Sequence, residues 1–130
     1  MTGVAYVESS ALVKLVLDEP GSPAMFRWYV ESLNVLTSRI GIIETRRAAA
    51  RGMHDPARLD AVLDSIGVVE LDEDIARSVG AVGPARLRTL DAIHLGTALA
   101  LLPDLDAFVT YDDRLAEAAR GIGLPVVRPA

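Results

Sequence analysis

Short apolar runs alternate along this chain with longer stretches whose apolar residues recur at helical spacing. "GVAYVES" (3–9) reads as a buried strand, valine-rich and bounded by polar residues. "SALVKLVLDE" follows with Leu12, Val13, Val16 and Leu17 on one side and stops at Pro20-Gly21. "SPAMFRWYVESL" predicts a second helix, with Ser22 as N-cap and Pro23 at its first position. "NVLTS" predicts a strand, "RIGIIETRRAAARG" a helix ending at Gly52, and "DPARLDAVLDSIG" a helix opened by Asp55-Pro56. "VVEL" is a strand and "DEDIARSVGAVG" a helix with acids in its first turn, where the helix dipole favours them. "RLRTLDAIHLGTALALL" predicts a mostly apolar helix. "DAFVT", "DDRLAEAARGIG" and "LPVV" then give strand, helix and strand.

Strands that are apolar throughout, alternating with helices, predict an α/β fold. The expected form is a three-layer sandwich with a central, mostly parallel twisted sheet covered on both faces by helices. The last strand–helix–strand stretch is the clearest βαβ unit. Strand order is not readable from spacing. At 130 residues the chain suits one domain over 1–130, with no linker, repeat or low-complexity tract.

Composition then removes several function classes. There is no cysteine, which excludes a disulfide scaffold, a thiolate zinc site and a cysteine nucleophile, and fits a reducing cytoplasm. No stretch approaches the roughly 20 apolar residues that span a bilayer, and no basic segment precedes the first apolar residues, so neither membrane nor secretion signal is expected. Net charge is −5, so binding nucleic acid requires a local basic patch.

Sites on parallel α/β sheets form beyond the carboxyl ends of the strands. Glu8, Ser9 and Ser10 follow the first strand, and Tyr111, Asp112 and Asp113 follow "DAFVT". Glu44 comes soon after "NVLTS", and Asp91 opens the apolar helix, one turn before His94. If Glu8, Glu44, Asp91 and Asp112 converge, they repel one another, and a bound cation relieves that repulsion. Oxygen ligands select Mg²⁺ or Mn²⁺, which act on phosphodiesters. Each residue also has an ordinary reading. Asp91, Asp112 and Glu8 could cap helices, and Glu44 could be a solvated acid paired with Arg47 or Arg51. His94 is expected to pack behind the site or bond a neighbour, with support of the site as the functional alternative. Lys14, the only lysine, reads as a surface residue with a buried stem.

With "VAYVESSALVKLVLDEPGS", "IIETRRAAAR", "RLRTLDAIHLGTALAL" and "FVTYDDRLAEAARGIGLPVV" in this order, the chain resembles the PIN-domain toxins of the VapC type. "LDAIHL" and "FVTYDDRL" are the specific pieces. The resemblance implies a Rossmann-like sheet and a toxin that is an Mg²⁺- or Mn²⁺-dependent endoribonuclease. It assigns Glu8, Glu44, Asp91 and Asp112 to catalysis and metal binding, with Ser10 and Thr110 as hydroxyls beside the first and last acid; Asp113 is less often part of the site. It further implies a homodimer and a VapB-type antitoxin whose C-terminal segment blocks the pocket. One position departs from the pattern: the first acid is normally aspartate, and Glu8 carries one more methylene, about 1 Å of extra reach.

Arg46, Arg47 and Arg51 around Glu44, and Arg88 before Asp91, form the candidate RNA-binding patch, with Arg39 and Arg86 alongside. Phe26, Trp28 and Tyr29 suit a dimer face or an antitoxin groove better than base stacking. Two other classes remain as alternatives. A phosphorelay receiver also has an acid cluster, but needs a lysine after a late strand. A PIN-fold partner-binding module without strong catalysis is kept open by Glu8.

Overall fold

A computed structural model describes residues 3–130; Met1 and Thr2, the start of the expected domain, lie outside the described residues. The elements run β1 (Val4–Val7), α1 (Ser9–Val16), α2 (Ser22–Val30), β2 (Val35–Ser38), α3 (Arg39–Ala50) and α4 (Pro56–Asp64). They continue through β3 (Gly67–Val69), α5 (Glu73–Ala81), α6 (Thr89–Leu99), β4 (Leu105–Val109), α7 (Asp113–Gly121) and β5 (Val126–Val127). The five strands form one sheet in the order β3-β2-β1-β4-β5, and every pairing is parallel.

Side-chain alternation explains why the strands are apolar throughout. Ala5 and Val7 of β1, with Ala107 and Val109 of β4, join Leu12, Leu15 and Met25 in a core on the α1–α2 face. Tyr6 and Phe108 point the other way and join Leu95, Leu115 and Ala119 under α6 and α7. A third cluster, Val16, Ile42, Ala49, Leu59 and Leu63, ties α1 to α3 and α4. Both faces of the sheet are thus covered, as a parallel sheet requires. On the outer side of α6, α5 packs so closely that a Cβ on Gly96 would stand 2.6 Å from Val79 Cγ2.

Three expectations are corrected. The first helix ends at Val16 rather than at Pro20, because Leu17 turns extended (φ −121, ψ 152). Ser22 does not cap α2. Gly21, at φ 92, holds the N-cap position, and the Ser22 hydroxyl instead donates to Leu17 O and accepts from Glu19 N, both at 2.9 Å. The glycine supplies a left-handed turn that a serine would adopt only with strain, and Ser22 holds the α1–α2 corner together. The helix expected to reach Gly52 ends at Ala50, with Arg51 still helical at φ −88.

Candidate active site

Strand order reverses at β1 and β4: the chain moves outward through β2 and β3 on one side and through β5 on the other. Both central strands end in acids at this switch point. Glu8 follows β1 directly and occupies the N-cap position of α1, yet its side chain makes no capping bond. The Glu8 carboxylate, 4% exposed, accepts at Oε1 from the Ser10 hydroxyl and from Thr110 Oγ1 (2.6 Å), and at Oε2 from Ser9 Oγ (3.3 Å). The hydroxyls are themselves fixed. Tyr111 N–H donates to Ser10 Oγ at 2.8 Å and Asp112 N–H to Thr110 Oγ1 at 3.0 Å. The strand-end backbone therefore orients two hydroxyls that orient the carboxylate, and the extra methylene of Glu8 is accommodated by that cradle.

Asp112 does cap α7, accepting from Arg114 N and Leu115 N at 3.0 and 3.1 Å, both on Oδ1. Its other oxygen is left for a second partner. Asp91 is not a cap: Arg88 holds the N-cap position of α6, and Asp91 sits in the first turn with Oδ2 3.3 Å from Arg88 Nε. Glu44 pairs neither with Arg47 nor with Arg51. Its Oε1 lies 2.6 Å from Nε2 of the buried His94, whose Nδ1 lies 2.6 Å from the Tyr6 hydroxyl. Burial pushes the Glu44 carboxyl up, but the hydrogen bond from His94, with help from Ser9, brings it below the ordinary carboxylate value.

The four acids line one open cleft of about 840 Å³, together with Ser10, His94 and Tyr111. Arg47, Arg51 and Arg88 line it too, and Arg46 joins Arg47 and Arg51 in an adjoining hollow while pairing with Asp60 at 3.2 Å. Arg39 is turned away into a two-point bond with Glu70 (3.1 and 2.5 Å), and Arg86 is not on the cleft wall. Asp113 is exposed and paired with Arg128 at 2.6 Å, outside the cleft. Lys14 is not a surface lysine. Its side chain is 13% exposed and lies in the cleft, with Nζ 2.7 Å from Pro20 O and 4.7 Å above the Tyr111 ring.

The sequence reading missed Lys14's placement and passed over Tyr6 entirely. A tyrosine inside an otherwise apolar strand was the available signal, since a buried phenol needs a partner for its hydroxyl. The donor set is all oxygen around the cleft, with the facing nitrogen of His94 already turned to Glu44. That chemistry fits a hard divalent cation. Among the described residues no three His, Asp or Glu side chains stand close enough to hold an ion unaided.

Comparison with known proteins agrees with this geometry. A family model of the PIN domain matches residues 5–121. The chain belongs to the PIN-domain family. Ribonuclease VapC47 of Mycobacterium tuberculosis is 36% identical over 132 residues, which cover 95% of this chain and 96% of the relative. Among solved structures, VapC20 of M. tuberculosis, described as a sarcin–ricin loop cleaving toxin, superposes with a TM-score of 0.73 at 15% identity, over 96% of this chain and 99% of that one. VapBC2 of Rickettsia felis, bound to a DNA fragment of its promoter, gives 0.68 at 10% identity, over 98% and 99%. These PIN-domain neighbours share the three-layer sandwich, and within the family the chain is of the VapC type. A receiver domain is excluded with it.

Proposed function

We propose that this protein is the toxin of a type II toxin–antitoxin pair and cleaves RNA phosphodiester bonds in the cytoplasm with Mg²⁺ or Mn²⁺ held in the acidic cleft. The observation that carries this reading is the gathering of Glu8, Glu44, Asp91 and Asp112 on one cleft edged by Arg47, Arg51 and Arg88. Carboxylates alone repel RNA, and arginines alone bind it without chemistry; their combination in one cleft fits phosphodiester hydrolysis. A bound divalent cation would supply Lewis acidity and neutralise phosphate charge. Glu8, Asp91, Asp112 and Glu44 are the residues to hold it. Ser10 and Thr110 keep Glu8 in place, and the arginines draw in the phosphates that flank the scissile bond. Ile43 and Leu90, both about half exposed (46% and 48%), border the acids and offer apolar contact to ribose and base.

A ribonuclease by name stands at 36% identity over nearly the whole chain, and the toxin–antitoxin neighbours support a VapB-type antitoxin as partner. On this chain, α2 leaves Phe26 and Val30 exposed at 52% and 57%, followed by Leu33 at 76%. Trp28 and Tyr29 fold back onto the core. That apolar face suits a homodimer or antitoxin contact better than stacked bases. The alternative of a non-cleaving partner module rested on Glu8, and Glu8 keeps its carboxylate on the cleft wall.

The test is cleavage of a structured RNA by purified protein. Cleavage is expected with Mn²⁺ or Mg²⁺, stopped by a chelator, and reduced on the order of 100-fold or more in Asp91→Asn with its circular dichroism unchanged. Equal cleavage by parent and Asp91→Asn would overturn the assignment.

A further inference from the structure

The sheet carries a polar chain that links its core to the cleft. Tyr6 lies on β1, fully buried, with its ring stacked on Phe108 (centroids 5.5 Å apart, 4° between planes). Its hydroxyl is 2.6 Å from Nδ1 of His94 on α6, which is 1% exposed and meets the Tyr6 ring edge-on at 70°. The second imidazole nitrogen, Nε2, is 2.6 Å from Oε1 of Glu44 on α3. One residue from each of a strand and two helices thus forms a line of two hydrogen bonds. The line ends on an acid whose side chain is 26% exposed at the cleft.

The chemistry of the three groups sets the direction of those bonds. A carboxylate accepts and does not donate. Facing Glu44 at 2.6 Å, Nε2 therefore carries a proton; a bare nitrogen there would set two acceptors against each other. In the neutral ring Nδ1 is then bare and accepts, and the Tyr6 hydroxyl, which retains its proton in the core, donates to it. Both ends of the chain favour the same tautomer.

We propose that Tyr6 and His94 are positioning residues for Glu44: their hydrogen bonds hold His94 as the Nε2–H tautomer and pin Glu44 Oε1, leaving the other carboxylate oxygen to the cation in the cleft. This rests on the reading of Glu44 as a cation-holding acid. Carboxylates at metal sites are commonly fixed by such outer bonds, and loss of an outer partner typically costs about 10–100-fold in metal affinity or activity. The buried phenol gives the arrangement its rigidity. Without it, Nδ1 would be an unpartnered acceptor in the core, and the ring would lose one of its two fixed points.

The first experiment needs no substitution. A long-range ¹H–¹⁵N spectrum of the metal-free protein at neutral pH, with His94 assigned by its loss in His94→Gln, is expected to show a protonated Nε2 and a bare Nδ1. A protonated Nδ1 with a bare Nε2 overturns the proposal. The second experiment measures Mn²⁺ binding to the free protein by the paramagnetic signal of unbound Mn²⁺, alongside RNA cleavage as a function of Mn²⁺ concentration. His94→Leu is expected to raise both the Mn²⁺ dissociation constant and the Mn²⁺ concentration for half-maximal cleavage about 10-fold or more. His94→Gln, whose amide nitrogen reaches about where Nε2 stands, is expected to restore much of that loss. Tyr6→Phe keeps the ring and removes the hydroxyl; a smaller shift in the same direction is expected. Folded His94→Leu and Tyr6→Phe proteins that bind Mn²⁺ as the parent does would overturn the positioning role. Glu44→Gln separates the two readings: if it too binds Mn²⁺ and cleaves like the parent, Glu44 is not a cation-holding acid and the underlying reading fails.

Discussion

Glu8 and Glu44 reach the same cleft by opposite means. Glu8 is buried at the end of a central strand and is held by hydroxyls on its own turn and the neighbouring strand end, Ser10 and Thr110. Glu44 is partly exposed on a peripheral helix and is held from behind through His94 and Tyr6. The support of Glu8 is a feature of the switch point itself. Two adjacent parallel strands end together there, and their backbone N–H groups fix the hydroxyls. The support of Glu44 crosses the fold and depends on packing between α3, α6 and β1. A carboxylate at a strand end can borrow its partners locally, whereas one on an outlying helix requires a partner grown from the core.

The largest expected effect comes from removing charge at the buried member of the pair. Glu8→Gln is expected to cut the RNA cleavage rate on the order of 100-fold with Mn²⁺, because an amide misorients or loses a cation ligand. Glu8→Asp sharpens the point. With the carboxylate drawn back about 1 Å, the Thr110 bond at 2.6 Å is lost, so slower cleavage than the parent is expected despite the conserved charge. A faster Glu8→Asp enzyme would mean that the cradle tolerates glutamate without being built for it.

Thr110→Val comes next. It removes one donor from a buried carboxylate and leaves Asp112 N–H without its hydroxyl acceptor. A loss of about 1–3 kcal/mol in denaturant unfolding is expected, with slower cleavage. Unchanged stability would show that water replaces the hydroxyl.

On the other side of the comparison, Tyr6 gives a pH signature. Burial in the core raises the Tyr6 hydroxyl well above its ordinary 10.0. Above pH 10 the unfolded chain loses this proton while the folded protein keeps it, so folded stability falls as pH rises. The Tyr6 share of that fall is about 1.4 kcal/mol per pH unit. Comparing unfolding free energies of parent and Tyr6→Phe between pH 9 and 11 checks it: the parent is expected to lose about 1.4 kcal/mol more than the variant over that range, nearly all of it above pH 10. Parallel curves would show that the phenol reaches solvent.

The smallest effect belongs to the arginines. Arg51→Gln is expected to leave the fold unchanged and to lower the slope of log RNA affinity against log salt by about one, the signature of one lost phosphate contact. An unchanged slope would place Arg51 off the path of the RNA.

Much of this was legible in the sequence. Apolar strands alternating with helices gave the layers, and "ES" after β1 and "TYDD" after β4 placed two acids at strand ends before strand order was known. Asp112 as a cap was readable because a cap is a local interaction. Glu44's partner was not, since His94 is fifty positions away and meets it only once α3 and α6 are packed. Lys14 was misread for the same reason: the corner set by Gly21 and Ser22 brings Pro20 O to it, and the pairing of β1 with β4 brings Tyr111. The order β3-β2-β1-β4-β5 depends on how helices cross the sheet, which hydropathy does not encode.

The outer strands of the sheet carry one more consequence. β3 has three residues and β5 two, and Pro125 and Pro129 flank the latter. A long bare strand is a template on which another chain can crystallise into fibres, its amides zipping to those of a neighbour. Borders this short offer only a few such amides, and proline has none to give. A protein of this build, even when it accumulates without a companion, is expected to stay in solution rather than seed ordered aggregates.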